Sequence, residues 1–109
     1  MKADVKFGLD DENKIVSALF NVKFLQKDIP FLILAIECFF NITESTWETF
    51  IDNNIIVIPQ GFAAHLAMLT VGTARGVLYA KTEKTEFRKF LLPTINVDEL
   101  IGQDIVFEL

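Results

Sequence analysis

Few side chains in this 109-residue chain are equipped for chemistry, and their placement argues against catalysis. The chain has one histidine, His65, and one cysteine, Cys38. A thiol and an imidazole can act as nucleophile and base when they meet. Cys38, however, lies in an apolar run, where cysteine behaves as a small hydrophobe. His65 stands among Ala63, Ala64 and Ala67 in a helical pattern. No spacing of His, Cys and carboxylates resembles a metal site. Asp10, Asp11 and Glu12, followed by Asn13, read as a solvated turn. Gly72 and Gly76 fall inside a helical pattern rather than a phosphate loop. The expectation is a protein that is not an enzyme, with no catalytic residue, metal or cofactor.

If the chain does not transform a substrate, it is expected to bind one. Its length fits a single domain spanning residues 1–109, with one modest core. Apolar residues make up 51%, and eleven phenylalanines stand against one Trp and one Tyr. A small core has limited room for that many rings, so some are expected on a partner-facing surface. The net charge of −5 lacks the basic stripe that nucleic-acid binding needs. Met1 to Lys6 has no apolar stretch of the signal-peptide kind. Ile29 to Phe40, broken by Pro30 and Glu37, is too short to cross a bilayer as a helix. The expected location is cytoplasmic, in agreement with a lone cysteine.

The elements follow from periodicity. Ala3, Val5, Phe7 and Leu9 alternate with polar residues or glycine, which predicts a strand. A second strand runs from Lys14 to Gln26, with Val16, Ala18, Phe20, Val22 and Phe24 on one face. A third, Phe31 to Ile42, is apolar on both faces: Leu32, Leu34, Ile36, Cys38, Phe40 and Ile42 on one, Phe31, Ile33, Ala35 and Phe39 on the other. Short polar links make the three an antiparallel meander. A doubly apolar strand is expected at its centre, covered by a helix on one side and a second subunit or bound chain on the other. Glu37 interrupts the second apolar face. It reads as a strand residue near an edge whose carboxylate reaches water; the alternative is a charge that fixes register in an apolar groove.

Ser45 and Glu48 have capping-box spacing, predicting a short helix to about Ile51. Ile55–Ile58 is expected to be a fourth short strand or an extended lead-in. Pro59 suits the first turn of a long helix from Gln60 to about Ala80. Lys81–Lys89 is expected to be a charged, solvated extension or loop, Leu91–Asn96 extended, and Val97–Ile101 one helical turn. The fold class is therefore α+β: an antiparallel meander sheet of three to four strands, one long helix packed across it, and a short second helix.

The long helix carries two stripes. Phe62, Leu66 and Leu69 form the bulky one, assigned to the sheet. Ala63, Ala67, Thr70 and Ala74 form the small one, assigned to an oligomer interface with a neighbouring subunit. Mid-helix glycines cost about 1 kcal/mol each relative to alanine. Gly72 and Gly76 therefore suggest close backbone approach, either to the sheet or to another subunit.

Three segments together resemble the SecB-like chaperone family, which includes the protein-export chaperone SecB and solitary relatives. The helix reaching Ala74-Arg75-Gly76 resembles a SecB helix that closes on an Arg-Gly pair. Leu92 to Leu100 (Leu-Pro-Thr-Ile-Asn-Val-Asp-Glu-Leu) is similar to the family's Pro-x-x-Asn-x-x-x-Leu signature, and Val5 to Asp10 is similar to one of its alternating strands. The likeness spans about residues 4–101. It implies an ATP-independent holdase, assembled as a homo-oligomer (a tetramer built as a dimer of dimers), that binds unfolded polypeptide clients in surface grooves. Val5, Phe7 and Leu9 match a strand contributing to those grooves. With Phe31, Ile33 and Phe39 they form the candidate peptide-binding set. The family's first strand has no counterpart before Ala3, and its metal-binding tail is absent, so protein transport or a dedicated client such as an antitoxin both fit. The rival readings are a hot-dog-type acyl-thioesterase and a non-catalytic structural adaptor subunit.

Overall fold

A computed structural model describes residues 1–85 and 94–109. The chain opens with three strands, β1 (Lys2–Asp10), β2 (Ile15–Gln26) and β3 (Ile29–Asn41). They form one antiparallel sheet in the order β1-β2-β3. The alternation read from the sequence sets its faces. Every second residue of β2, from Val16 through Phe24, is buried. Its partners place Ala3, Val5, Phe7 and Leu9 of β1, and Leu34, Ile36, Cys38 and Phe40 of β3, on the same face. Two tight links make the meander possible. Lys27 and Asp28, both at positive φ, turn β2 into β3, in the left-handed conformation that two-residue hairpins require. Asp10 receives hydrogen bonds from the Asn13 backbone and side chain at 3.1 and 2.8 Å, closing the first turn.

The third strand is not central. A meander with hairpin links puts its second strand in the middle, so β3 becomes an edge. Its second face is uncovered: Ile29, Ile33 and Phe39 are each more than three-fifths exposed. Only Phe31 escapes. A register shift between Phe24 and Leu25 lets it turn in beside the Phe24 ring, 6.5 Å away between centroids. Glu37 is exposed, as the water-facing reading requires.

After the meander come α1 (Glu44–Phe50), β4 (Ile51–Asp52), β5 (Ile55–Ile58), the long α2 (Gln60–Thr82), α3 (Val97–Leu100) and β6 (Ile105–Glu108). The N-cap of α1 is Thr43, whose hydroxyl accepts the Thr46 N–H, so the helix starts before Ser45. Ile55–Ile58 is a strand, but it joins a second small sheet of order β4-β5-β6. The weakly alternating tail supplies β6. Of the charged extension or loop expected at Lys81–Lys89, Lys81 and Thr82 continue α2 and the description ends at Thr85; Leu91–Pro93 lie outside the described residues.

Helix α2 packs across β2 and β3, rotated from the expected orientation: Leu66 of the bulky stripe is buried and Phe62 packs against the core, but the small stripe faces inward with them. Ala63, Ala67, Thr70 and Ala74 are fully buried within the chain itself, while Leu69 is 44% exposed. The assignment of the small stripe to a neighbouring subunit is therefore replaced. Small residues let the helix approach a sheet whose own face carries large rings, and Phe20 and Phe24 fill the gap. Buried Thr70 and Thr82 satisfy their hydroxyls by donating to the Leu66 and Leu78 carbonyls at 2.8 and 2.7 Å. Gly72 and Gly76 face open space: a Cβ added at either would meet no described atom within 4 Å. Among the described residues, close approach does not explain them.

Burial divides into two clusters strung along α2. One holds Val16, Trp47, Phe50, Ile56, Ile58 and the start of the helix; the other holds Phe20, Val22, Phe24, Val71, Ala74 and Leu78. The result is an elongated molecule of 51 × 24 × 20 Å. Its radius of gyration is 15.8 Å, against about 13 Å for a compact chain of this length.

Candidate functional site

The residues with chemical potential do not converge. Cys38 sits on the core face of β3, half-buried, whereas His65 is exposed on α2. No group of three or more His, Cys, Asp or Glu capable of holding a metal occurs among the described residues. Asn13 hydrogen bonds hold the Asp10 carboxyl below its ordinary pKa, the side-chain contact contributing most. That is the effect of a tight turn on an exposed carboxylate.

What the fold does build is a run of hollows beside β1. Val5 and Phe7 face Leu100, Ile101, Gly102, Gln103 and Ile105 across a hollow of about 350 Å³. Next to it, Met1 and Ala3 face Thr94, Ile95, Asn96, Glu99 and Leu100 across about 260 Å³. Leu100 lines both. From Met1 to Phe7 a strand covers about 20 Å, the length of an extended segment of six or so residues.

The far wall is held in place from three directions. Asn96 caps the single turn of α3 by accepting the Asp98 and Glu99 N–H groups at 3.1 and 3.3 Å. The Gln60 side chain donates to the Ile101 carbonyl at 2.7 Å and to Asp98 at 3.3 Å. Asp104 in turn accepts the Gln60 backbone N–H at 2.8 Å, supplying the cap that Pro59 cannot. An unpaired N–H at a helix start is costly when left dry. One exchange of hydrogen bonds thus caps α2 and anchors the groove wall to it.

A third hollow, of about 350 Å³, opens on the other face of the sheet, lined by Gly8, Leu9, Asp10, Ile15, Ser17 and Phe39. Gly8, Ser17 and Phe39 form one cross-strand row. A Cβ on Gly8 would lie 2.5 Å from the Ser17 hydroxyl, so glycine keeps this floor low.

No family model, curated protein or solved structure matches the chain.

The six residues expected to bind polypeptide fall into separate places. Val5 and Phe7 line the β1 groove. Leu9 and Phe39 line the hollow beside Gly8. Ile33 is exposed on the outer face of β3, and Phe31 packs into the second cluster. Sequence reasoning missed Leu100, Ile105 and the Gln60–Asp104 anchor. Asn96 ahead of Asp98-Glu99 is readable as a cap. The partnership of Gln60 with residues some 40 positions later has no local signature. No helix among the described residues is long and apolar enough to cross a membrane.

Proposed function

We propose that this chain is a SecB-like, ATP-independent holdase that binds extended, unfolded polypeptide, as its resemblance to that family implies. The observation carrying the reading is the pair of neighbouring hollows along β1 that share Leu100 and together run the length of a strand-like segment. Exposed Ile29, Ile33 and Phe39 on the other face add apolar surface of the kind that marks interaction sites. A cytoplasmic, oligomeric chaperone serving export or one dedicated client is the context the resemblance implies. The acyl-thioesterase alternative needs several strands after the long helix. Among the described residues one follows it, and that strand belongs to the smaller sheet.

Suppression of thermal aggregation of an unfolded client, without nucleotide, tests the reading. Leu100 is 37% exposed, so Leu100→Asp, its fold checked by circular dichroism, should weaken client protection several-fold. Undiminished protection by a folded Leu100→Asp variant removes the groove from the mechanism. Absence of protection by the wild-type chain against several unrelated clients leaves either a single-client chaperone or an adaptor.

A further inference from the structure

The hollow on the sheet face turned away from α2 differs in chemistry from the groove along β1. Gly8, Leu9, Asp10, Ile15, Ser17 and Phe39 enclose about 350 Å³, near the lower end of the range of about 300–1,000 Å³ for small-molecule sites. Register explains why a depression forms here. Gly8, Ser17 and Phe39 stand in one cross-strand row, and Asp10, Ile15 and Asn41 in the next. The first row descends from a ring to a hydroxymethyl group to no side chain at all. Two strand spacings, about 10 Å, separate Phe39 from Gly8, so the ring forms one bank and β1 the other. The Ser17 hydroxyl leans over the glycine, where a Cβ would come within 2.5 Å of it. It therefore lies at the floor.

Two polar side chains break the apolar lining, and both accept hydrogen bonds. The Ser17 hydroxyl is one. The Asp10 carboxylate is the other, and it is held in a fixed orientation. Its two oxygens receive the Asn13 N–H and side-chain amide at 3.1 and 2.8 Å. An ionised carboxylate offers about four acceptor positions, so each oxygen keeps one for a ligand. The same Asn13 contacts, the side-chain one foremost, hold the carboxyl below its ordinary pKa and keep it charged. Further negative charge surrounds it. Asp11 and Glu12 follow in the turn, and Glu37 stands two residues before Phe39 on the same face. Lys6 and Lys14 are the nearest cations along the chain, but neither is among the groups acting on the Asp10 carboxyl.

We propose that this hollow binds a small organic cation, a primary amine carried on an aromatic stem. The ammonium donates to Asp10, and the stem lies over Ile15 and Ser17 against the Phe39 ring, which is 67% exposed. Asp10 and Phe39 are about 12 Å apart between Cα atoms, from two strand spacings across and two residues along. Side chains reaching in from both ends leave a gap that suits a two-carbon link and one ring. Ring against ring adds a contact that an alkyl stem lacks. A carboxylate in place of the ammonium would face Asp10 with like charge. A neutral ligand of the same shape keeps the stem contacts and loses the charge-assisted hydrogen bond. The site does not depend on the holdase reading, since it lies on the opposite face of the sheet from the β1 groove.

Amide NMR spectra of the chain titrated with phenethylamine test the proposal. Expected are saturable shifts at Gly8, Asp10, Ser17 and Phe39, and none at Leu100 or Ile105, with a Kd of about 1 mM or tighter. Hydrocinnamate, of similar shape and opposite charge, should bind at least about tenfold more weakly, with phenethyl alcohol between the two. Asp10→Asn, which retains an acceptor for Asn13, should weaken amine binding about tenfold. Phe39→Ala, at an exposed position, should weaken it several-fold. Circular dichroism checks the fold of both variants. Equal binding of the amine and the carboxylate overturns the proposal, as does undiminished amine binding by a folded Asp10→Asn variant. Shifts that fall elsewhere, or none that saturate, overturn it too. An unfolded client should leave amine binding unchanged. Displacement of the amine by that client would assign the hollow to polypeptide and overturn the small-ligand site.

Discussion

The two faces of α2 do not divide by residue size, since bulky apolar side chains stand on both. The buried face is made of Ala63, Ala67, Thr70 and Ala74, joined by Leu66, Val71 and Leu78. The solvent face carries Met68, Leu69 and Tyr79, all between 44% and 60% exposed, along with Gly72 and Gly76. Hydrophobicity alone would draw Met68, Leu69 and Tyr79 inward as well. Shape decides otherwise. The sheet brings Phe20 and Phe24 to the contact, and close packing leaves no room for bulk on both sides. What matters at this contact is the combined volume of helix and sheet side chains, which a single helix does not display.

Changing the buried face should have the largest effect. Ala67→Arg forces an unpaired charge and several extra heavy atoms into a site with no exposure, which costs several kcal/mol. Chains of this size have about 5–15 kcal/mol of total stability, so most of the protein should lose its cooperative circular dichroism melt. A folded Ala67→Arg variant would place that stripe at the surface and undo the comparison.

An intermediate effect, with the opposite sign, is expected on the solvent face. Gly72→Ala and Gly76→Ala should each stabilise α2 by about 1 kcal/mol, because no described atom obstructs a Cβ at either position. Thermal melts of the two variants measure this. A loss of stability or of oligomer mass on adding these methyl groups would show that another helix lies against the glycines in the assembled protein.

Leu69→Ala should matter least, within about 0.5 kcal/mol by denaturant titration. A loss of about 2 kcal/mol or more, typical of a buried leucine, would mean that the solvent face is covered.

Much of the fold was legible because strand alternation is a local property. Val16 to Phe24 and Ala3 to Leu9 announce their buried faces by period two alone, and the short turns between runs leave a meander as the only simple topology. The long helix was equally plain, from Pro59 and the unbroken apolar pattern after it. The candidate site was less so. Val5 and Phe7 could be picked from their strand, but the groove they line is completed by Leu100 and Ile105, far along the chain. Phe31 and Ile33 look alike in sequence. A register shift of one residue sends the first into the core and leaves the second in water.

The sequence by itself determined which residues alternate, where the chain turns, and that one helix had to cover one sheet. Those outcomes depend on backbone geometry and neighbours within a few residues. Tertiary structure decided that β3 is an edge and that small residues of α2 face the core. It also joined β5 to the C-terminal strand and made Asp104 the cap of a helix beginning at Gln60. Each of these depends on volumes and hydrogen-bond partners brought together from distant parts of the chain, and periodicity carries no record of what an apolar face will meet.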